Sequence, residues 1–226
     1  MKKRATRPQQ VLGFLRRGGK RPGAGRKPKS EKAGVSHRNR ARLASRYPVH
    51  VTLKLEQGLP RLRNKAAYRV LGKAFVGANA RDGFRLCEYS VRGNHVHLIV
   101  EAKDRTALSR RMQGLGVRIA RGLNRLWGRA GRVFADRYHD RILRTPREVR
   151  DTLVFVLNNA RRHRLGLKWA IDLFASGLWF DGWKDEGVRR TVKRPPERPA
   201  ARARSWVLHS GWRRHGLIRV AEVPGG

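Results

Sequence analysis

Val91-Arg-Gly-Asn-His-Val-His-Leu-Ile-Val100 reads as the turn and second arm of a β-hairpin. Arg92-Gly-Asn94 makes the turn, because glycine and asparagine accept the backbone angles a tight reversal needs. From His95 the side chains alternate, so His95 and His97 share one face while Val96, Leu98 and Val100 share the other. The apolar set implies a buried face. The histidine pair implies an open one, where two imidazoles can chelate a single divalent ion. An ion held there can polarise a phosphodiester and orient its oxygens.

Working outward from the hairpin, Phe84 to Val91 is its first arm, entered through the turn Asp82-Gly83. Residues 63–81 carry Ala67, Val70, Leu71, Ala74, Phe75 and Ala78 on one helical stripe. Before them, Val49, Val51, Leu53 and Leu55 alternate with His50, Thr52, Lys54 and Glu56, the period of a half-buried strand. His50 and Thr52 then face outward, as the histidine pair does. After the hairpin, Thr106 is placed to cap a helix bearing Leu108, Met112, Leu115, Ile119, Leu123 and Leu126. Val133 to Leu143 reads as a bent strand. Pro146 opens a helix reaching about His163, with Glu148 and Asp151 in its first turn, where they suit the dipole. The order strand–helix–strand–strand–helix–strand predicts a ferredoxin-like βαββαβ α+β fold with one further helix: an antiparallel sheet, helices on one face, the other face free.

The composition points to a polyanion. Lys and Arg total 54 against 16 Asp and Glu, a formal charge of +38 over 226 residues. Self-repulsion of that size costs stability unless a partner neutralises it, and nucleic acid is the simplest such partner. Residues 1–47 hold 16 basic side chains and one acidic one and read as a disordered basic arm. Within it, Lys20-Arg-Pro-Gly-Ala-Gly-Arg-Lys-Pro-Lys29 has the composition of groove-lying tracts. Residues 48–165 hold 26 basic and nine acidic side chains, so the folded part is itself basic. Residues 166–226 form an aromatic and basic C-terminal tail with Trp169, Trp179-Phe-Asp-Gly-Trp183 and Trp206, read first as packing and second as stacking on unpaired bases. One cysteine, Cys87, excludes a disulfide framework and a Cys-rich zinc knuckle. No stretch approaches the ~20 apolar residues of a membrane span. The patch Val11 to Leu15 is too short for a signal sequence, so a cytoplasmic protein is expected.

His95-Val-His97 between apolar neighbours resembles the HUH motif. Together with Phe134-Ala-Asp-Arg-Tyr-His139, Leu143-Arg-Thr-Pro-Arg-Glu-Val-Arg150, Leu157-Asn-Asn-Ala-Arg-Arg-His163 and the Trp-Phe-Asp-Gly-Trp tail, it is similar to the REP-associated tyrosine transposases of the HUH single-strand superfamily. The resemblance covers roughly residues 48–165. It implies binding of single-stranded or hairpin DNA and metal-assisted strand cleavage and rejoining in DNA transposition. It also implies a divalent ion (Mg²⁺ or Mn²⁺), and a homodimer as in many members. The implied metal ligands are His95 and His97, with Asn159 as the third, four residues after the nucleophile position.

That nucleophile position falls on Phe155, where the family has tyrosine. No tyrosine follows Pro146. Val149, Leu153, Val156 and Ala160 form the expected buried stripe, and Phe155 lies off it beside Asn159. Tyr138 is the fallback nucleophile, set among cations that favour a phenolate; metal-activated water is another. Arg137, Arg141, Arg144, Arg161, Arg162 and His163 are the candidate DNA contacts. Two readings stand beside a cleaving enzyme: a catalytically silent DNA-binding relative, and a basic RNA-binding or nucleoid protein with an incidental histidine pair.

Overall fold

The computed structural model describes residues 40–79, 82–162, 171–185 and 198–223, with the side chains of Arg161 and Arg162 outside that description. Strand β1 (Val49–Lys54) pairs antiparallel with β3 (His95–Ala102) on one side and β4 (His139–Ile142) on the other. Strand β2 (Phe84–Val91) pairs with the outer edge of β3, giving the order β2-β3-β1-β4. Helices α1 (Lys65–Asn79) and α2 (Arg105–Leu126) make the two crossovers, and α3 (Pro146–Leu157) follows β4. This is the expected βαββαβ α+β architecture.

Local chemistry starts each helix. The Asn64 side chain accepts from the Ala67 N–H at 2.8 Å at the head of α1. Asp104, in extended conformation, accepts from the Ala107 N–H at 2.7 Å and caps α2. Thr106 was the expected cap; it lies instead in the first turn, because the Asp104 carboxylate already holds that N–H. Thr145, Pro146 and Glu148 form a capping box with proline in the first turn of α3.

Three other expectations are corrected. The bent strand over Val133 to Leu143 reduces to β4, with one isolated bridge between Leu55 and Phe134 upstream. The last helix does not run to His163. It ends at Leu157, where the Asn158 amide donates to the Arg219 and Glu222 carbonyls (3.0 and 2.8 Å); a separate short helix α4 (Asn159–Arg162) follows. Residues 40–47 belong to the fold rather than to a free arm: Leu43 is buried, and the Arg40 guanidinium pairs with Asp140 at 3.1 Å. The groove-lying tract Lys20 to Lys29 and Trp169 lie outside the described residues.

The sheet is covered on both faces, which corrects the expectation of a free one. Val49, Val51, Leu53, Val96, Leu98 and Val100 meet Leu71, Phe75, Leu108, Met112, Leu115 and Ile119 of α1 and α2 in one core. On the other face Ile99 and Cys87 meet Val149, Leu153 and Val156 of α3, together with Leu178, Phe180, Trp183, Val207, Trp212 and Ile218. The aromatics of the C-terminal segment therefore pack rather than wait for bases, Trp206 excepted, which is 51% exposed.

That segment also covers the β2 edge, which would otherwise be an open pairing template. The Val91 N–H donates to the Phe174 carbonyl and the Ala201 N–H to that of Leu86. Arg63 clamps Asp172 with two bonds of 2.8 and 3.0 Å. The Ser176 hydroxyl donates to Glu88, a carboxyl sealed between β2 and the C-terminal segment.

Burial pushes the Glu88 pKa up to about 7, against the opposing pull of Ser176 and Arg198. The folded state therefore binds a proton that the unfolded state releases between about pH 4.5 and 7, so stability falls as pH rises through that window. Glu88→Gln should flatten this dependence by up to about 3 kcal/mol, read from denaturant unfolding at pH 5 and pH 8. An unchanged pH slope would show that Glu88 is ionised in the fold.

Candidate functional site

The register of β1 on β3 sets Thr52 opposite His97 and Lys54 opposite His95. His50, Thr52, His95, His97 and, from β4, Arg141 consequently share the face that α3 covers. Thr52 Oγ1 lies 3.2 Å from His97 Nδ1, and His50 Nε2 lies 3.3 Å from the same atom. The His95 and His97 ring centroids are 4.7 Å apart and nearly perpendicular. His95 Nδ1 lies 2.8 Å from Asn94 Oδ1 in the hairpin turn. His97 is buried at 6% exposure, while His95 is half-buried.

Phe155 of α3 closes this group from above. Its ring meets His97 edge-on at 4.9 Å and His50 at 5.7 Å. Burial first, and then the nearby Arg141 guanidinium, lower the His50 pKa to about 4, so its imidazole is neutral at ordinary pH. Beside it opens a pocket of about 310 Å³ lined by His50, Arg141, Glu148, Asp151, Thr152 and Phe155. Arg141 pairs across its rim with Glu148 at 2.9 Å. Backbone N–H groups of Arg144 and Thr145, together with Arg141, hold the Glu148 carboxyl below its ordinary range.

No protein-family model matches the chain, and no curated protein does. Among solved structures, that of a REP-associated tyrosine transposase bound to a REP hairpin matches with a TM-score of 0.51 at 17% sequence identity, over 63% of this chain and 82% of the transposase. The chain shares that transposase's fold. At this identity the likeness is one of fold, and the site rests on the residues themselves.

The structure brings together His95, His97 and Phe155. Tyr138 is not among them. It lies on the opposite side of the sheet, where it packs against the α1–α2 core, its hydroxyl 3.3 Å from Ser109 Oγ on α2 and the Arg40 guanidinium 3.7 Å above its ring. Arg137 goes with it, lining the same pocket of about 550 Å³. Arg144 is exposed at the head of α3. His163 and the side chains of Arg161 and Arg162 fall outside the described residues.

Asn159 stands at the head of α4, past the break at Asn158, at 1% exposure with both amide atoms lacking a hydrogen-bond partner. A buried amide left in this way is costly, and a cation on its oxygen would relieve that cost. Among the described residues no three His, Cys, Asp or Glu side chains are grouped as an ion cage. The donors brought together on the sheet face are therefore the imidazoles of His95 and His97, with that of His50 beside them. Such a set fits Mn²⁺ better than Mg²⁺, which favours oxygen ligands throughout.

Glu148 and Asp151, expected from the sequence only to suit the helix dipole, also line the site pocket. The signal was present: Glu148, Asp151, Thr152 and Phe155 follow the spacing i, i+3, i+4, i+7, one stripe of α3.

His97 is buried against Thr52, His50 and Phe155, whereas His95 is half-buried. His97→Ala should therefore cost about 2 kcal/mol of stability without any metal, against less than about 0.5 kcal/mol for His95→Ala. Denaturant unfolding in chelator compares them; equal losses would mean that Phe155 and Thr52 do not hold His97 in place.

Proposed function

We propose that this chain is a transposase-like protein that binds single-stranded or hairpin DNA at the histidine face, with no tyrosine nucleophile on its last helix. The observation that carries the reading is the contact of Phe155 with His97: the residue that the resemblance puts at the nucleophile position lies against a proposed metal ligand and bears no oxygen. The charge of +38 and the fold of a hairpin-bound transposase support DNA as the partner. His95, His97 and Asn159 would hold the divalent ion, which when bound supplies charge to polarise a phosphodiester. His50 and Thr52 orient His97 through its Nδ1, the outer-shell role that fixes a ligand imidazole. Arg141 and Arg144 hold phosphate oxygens at the mouth of the site.

The histidines and Phe155 come from one chain, so the reading needs no homodimer. Among the described residues no helix is long and apolar enough to cross a membrane; the DNA substrate itself argues for the cytoplasm. Strand cleavage by water remains the second reading, favoured by the carboxylates of Glu148 and Asp151 in the pocket beside Phe155.

Phe155→Tyr restores a phenol with almost no change in volume, so the fold tolerates it. With Mn²⁺ and hairpin-bearing single-stranded DNA, the variant should form a covalent adduct that disappears when His97→Ala is added, whereas the wild type forms none. A wild-type adduct would sink the reading. Wild-type nicking without an adduct would instead select the water mechanism.

A further inference from the structure

Helices α1 and α2 together contain 37 residues and no aspartate or glutamate. Their inner sides fill the core under the sheet, so their outer sides form a surface on the opposite side of the molecule from His97. On α1 the exposed cations are Lys65, Arg69 and Lys73; on α2 they are Arg110, Arg118, Arg121 and Arg125. At 100° per residue each set falls on a single stripe within about 100° of arc. The carboxylates nearest in sequence, Asp82 and Asp104, both precede the N-terminal end of α2.

Gly114 stands within the stripe of α2, and Gly72 at the edge of that of α1. Glycine is disfavoured inside a helix, and three others here have packing neighbours. A side chain at Gly122 would meet Val70 at 2.5 Å, one at Gly77 would touch Arg118, and one at Gly116 would touch Phe134. At Gly72 and Gly114 an added Cβ would meet nothing within 4 Å. Gly114 bares the backbone of the α2 stripe toward the outside and Gly72 leaves open space beside that of α1, which suits close approach by a ligand.

Resting on the DNA-binding reading above, we propose that the outer α1–α2 surface is a second DNA site, which grips the phosphate backbone of a duplex segment such as a hairpin stem. Packed helices run 8–10 Å apart, so long side chains on two stripes can reach phosphate rows facing each other across a groove about 12 Å wide. From Arg110 to Arg125 the row on α2 is about 22 Å long. Single-strand binding needs aromatic platforms, and neither helix exposes one. The two faces then divide the labour: paired DNA on the helices, unpaired DNA at the histidines.

The test uses the full chain, a DNA hairpin, an unstructured single strand of equal length and an RNA hairpin of the same sequence. Gly114→Leu fills open space and adds a helix former, so it should melt no lower than wild type while weakening DNA-hairpin binding at least tenfold. Arg110→Gln with Arg121→Gln should lower the salt slope for the DNA hairpin by about two. Single-strand affinity should stay within twofold in both variants. Unchanged hairpin affinity, an equal loss on single strand, or a loss confined to RNA would overturn the proposal. If the wild type binds neither DNA, the functional reading above falls with it.

Discussion

Thr52 opposite His97 is the register on which the rest of the site depends. A strand has a period of two, so a slip of β1 by one residue would carry His50 and Thr52 into the α1–α2 core and turn Val51 and Leu53 toward α3. The apolar set on one face therefore enforces the polar set on the other. With β1 central, Arg141 of β4 falls opposite His50 and Ser90 of β2 opposite His97, and four strands contribute to one surface. The capping box at Thr145 then starts α3 so that Phe155 comes down on that surface.

The sheet and its crossovers were legible because alternation and helical spacing are strong where one side is buried. Val49 to Leu55 and Leu108 to Leu123 carried their faces openly. The covering of the second face was harder to read. Ile99 follows His97 in the outward set, and one apolar residue among His95, His97 and Glu101 does not announce a lid. The lid comes from sequence far away, Ala175 to Trp183 and Trp206 to Val220, through contacts that no local period encodes. The end of α3 was misjudged for a similar reason: Asn158 stops it by bonding carbonyls about sixty residues later. Of the site, the histidine pair and the facing His50 and Thr52 could be read from strand parity. The pocket under Glu148 and Asp151 could not, since first-turn acids have a sufficient explanation in the helix dipole.

The few carboxylates are largely engaged inside the protein. Asp140 is held between Arg40 and Arg105, Asp172 takes both arms of Arg63, Glu101 accepts from Arg85 and two backbone N–H groups, and Glu222 takes Arg150. Every ion pair among the described residues uses arginine, whose planar fork suits half-buried bidentate contacts. The acids thus tie the C-terminal segment and residue 40 to the sheet, and little negative charge is left to offset the outer helix surfaces. Internal structure and external polyanion compete for the same guanidinium chemistry, and the acids are placed so that structure takes only the arginines it needs.

Phe155 separates two roles that a tyrosine would combine. As a ring it bridges α3 to the sheet, its positive edge and negative face meeting two imidazoles in edge-to-face geometry, an arrangement worth about 0.5–1.5 kcal/mol beyond burial for aromatic pairs. A phenol in the same place would have to turn its oxygen toward the histidines or into the pocket lined by Arg141, Glu148 and Asp151, whereas a bare ring packs without either choice. Phenylalanine at this position therefore favours a closed, packed α3 over a reactive one. His50, neutral and hydrogen-bonded to His97, is compatible with that closure, because burial under α3 disfavours a charged imidazole. The same residues that could orient a metal-held phosphate are in this sequence arranged first to hold the helix down. Any chemistry at the face must then begin with DNA competing against Phe155 for the His97 ring.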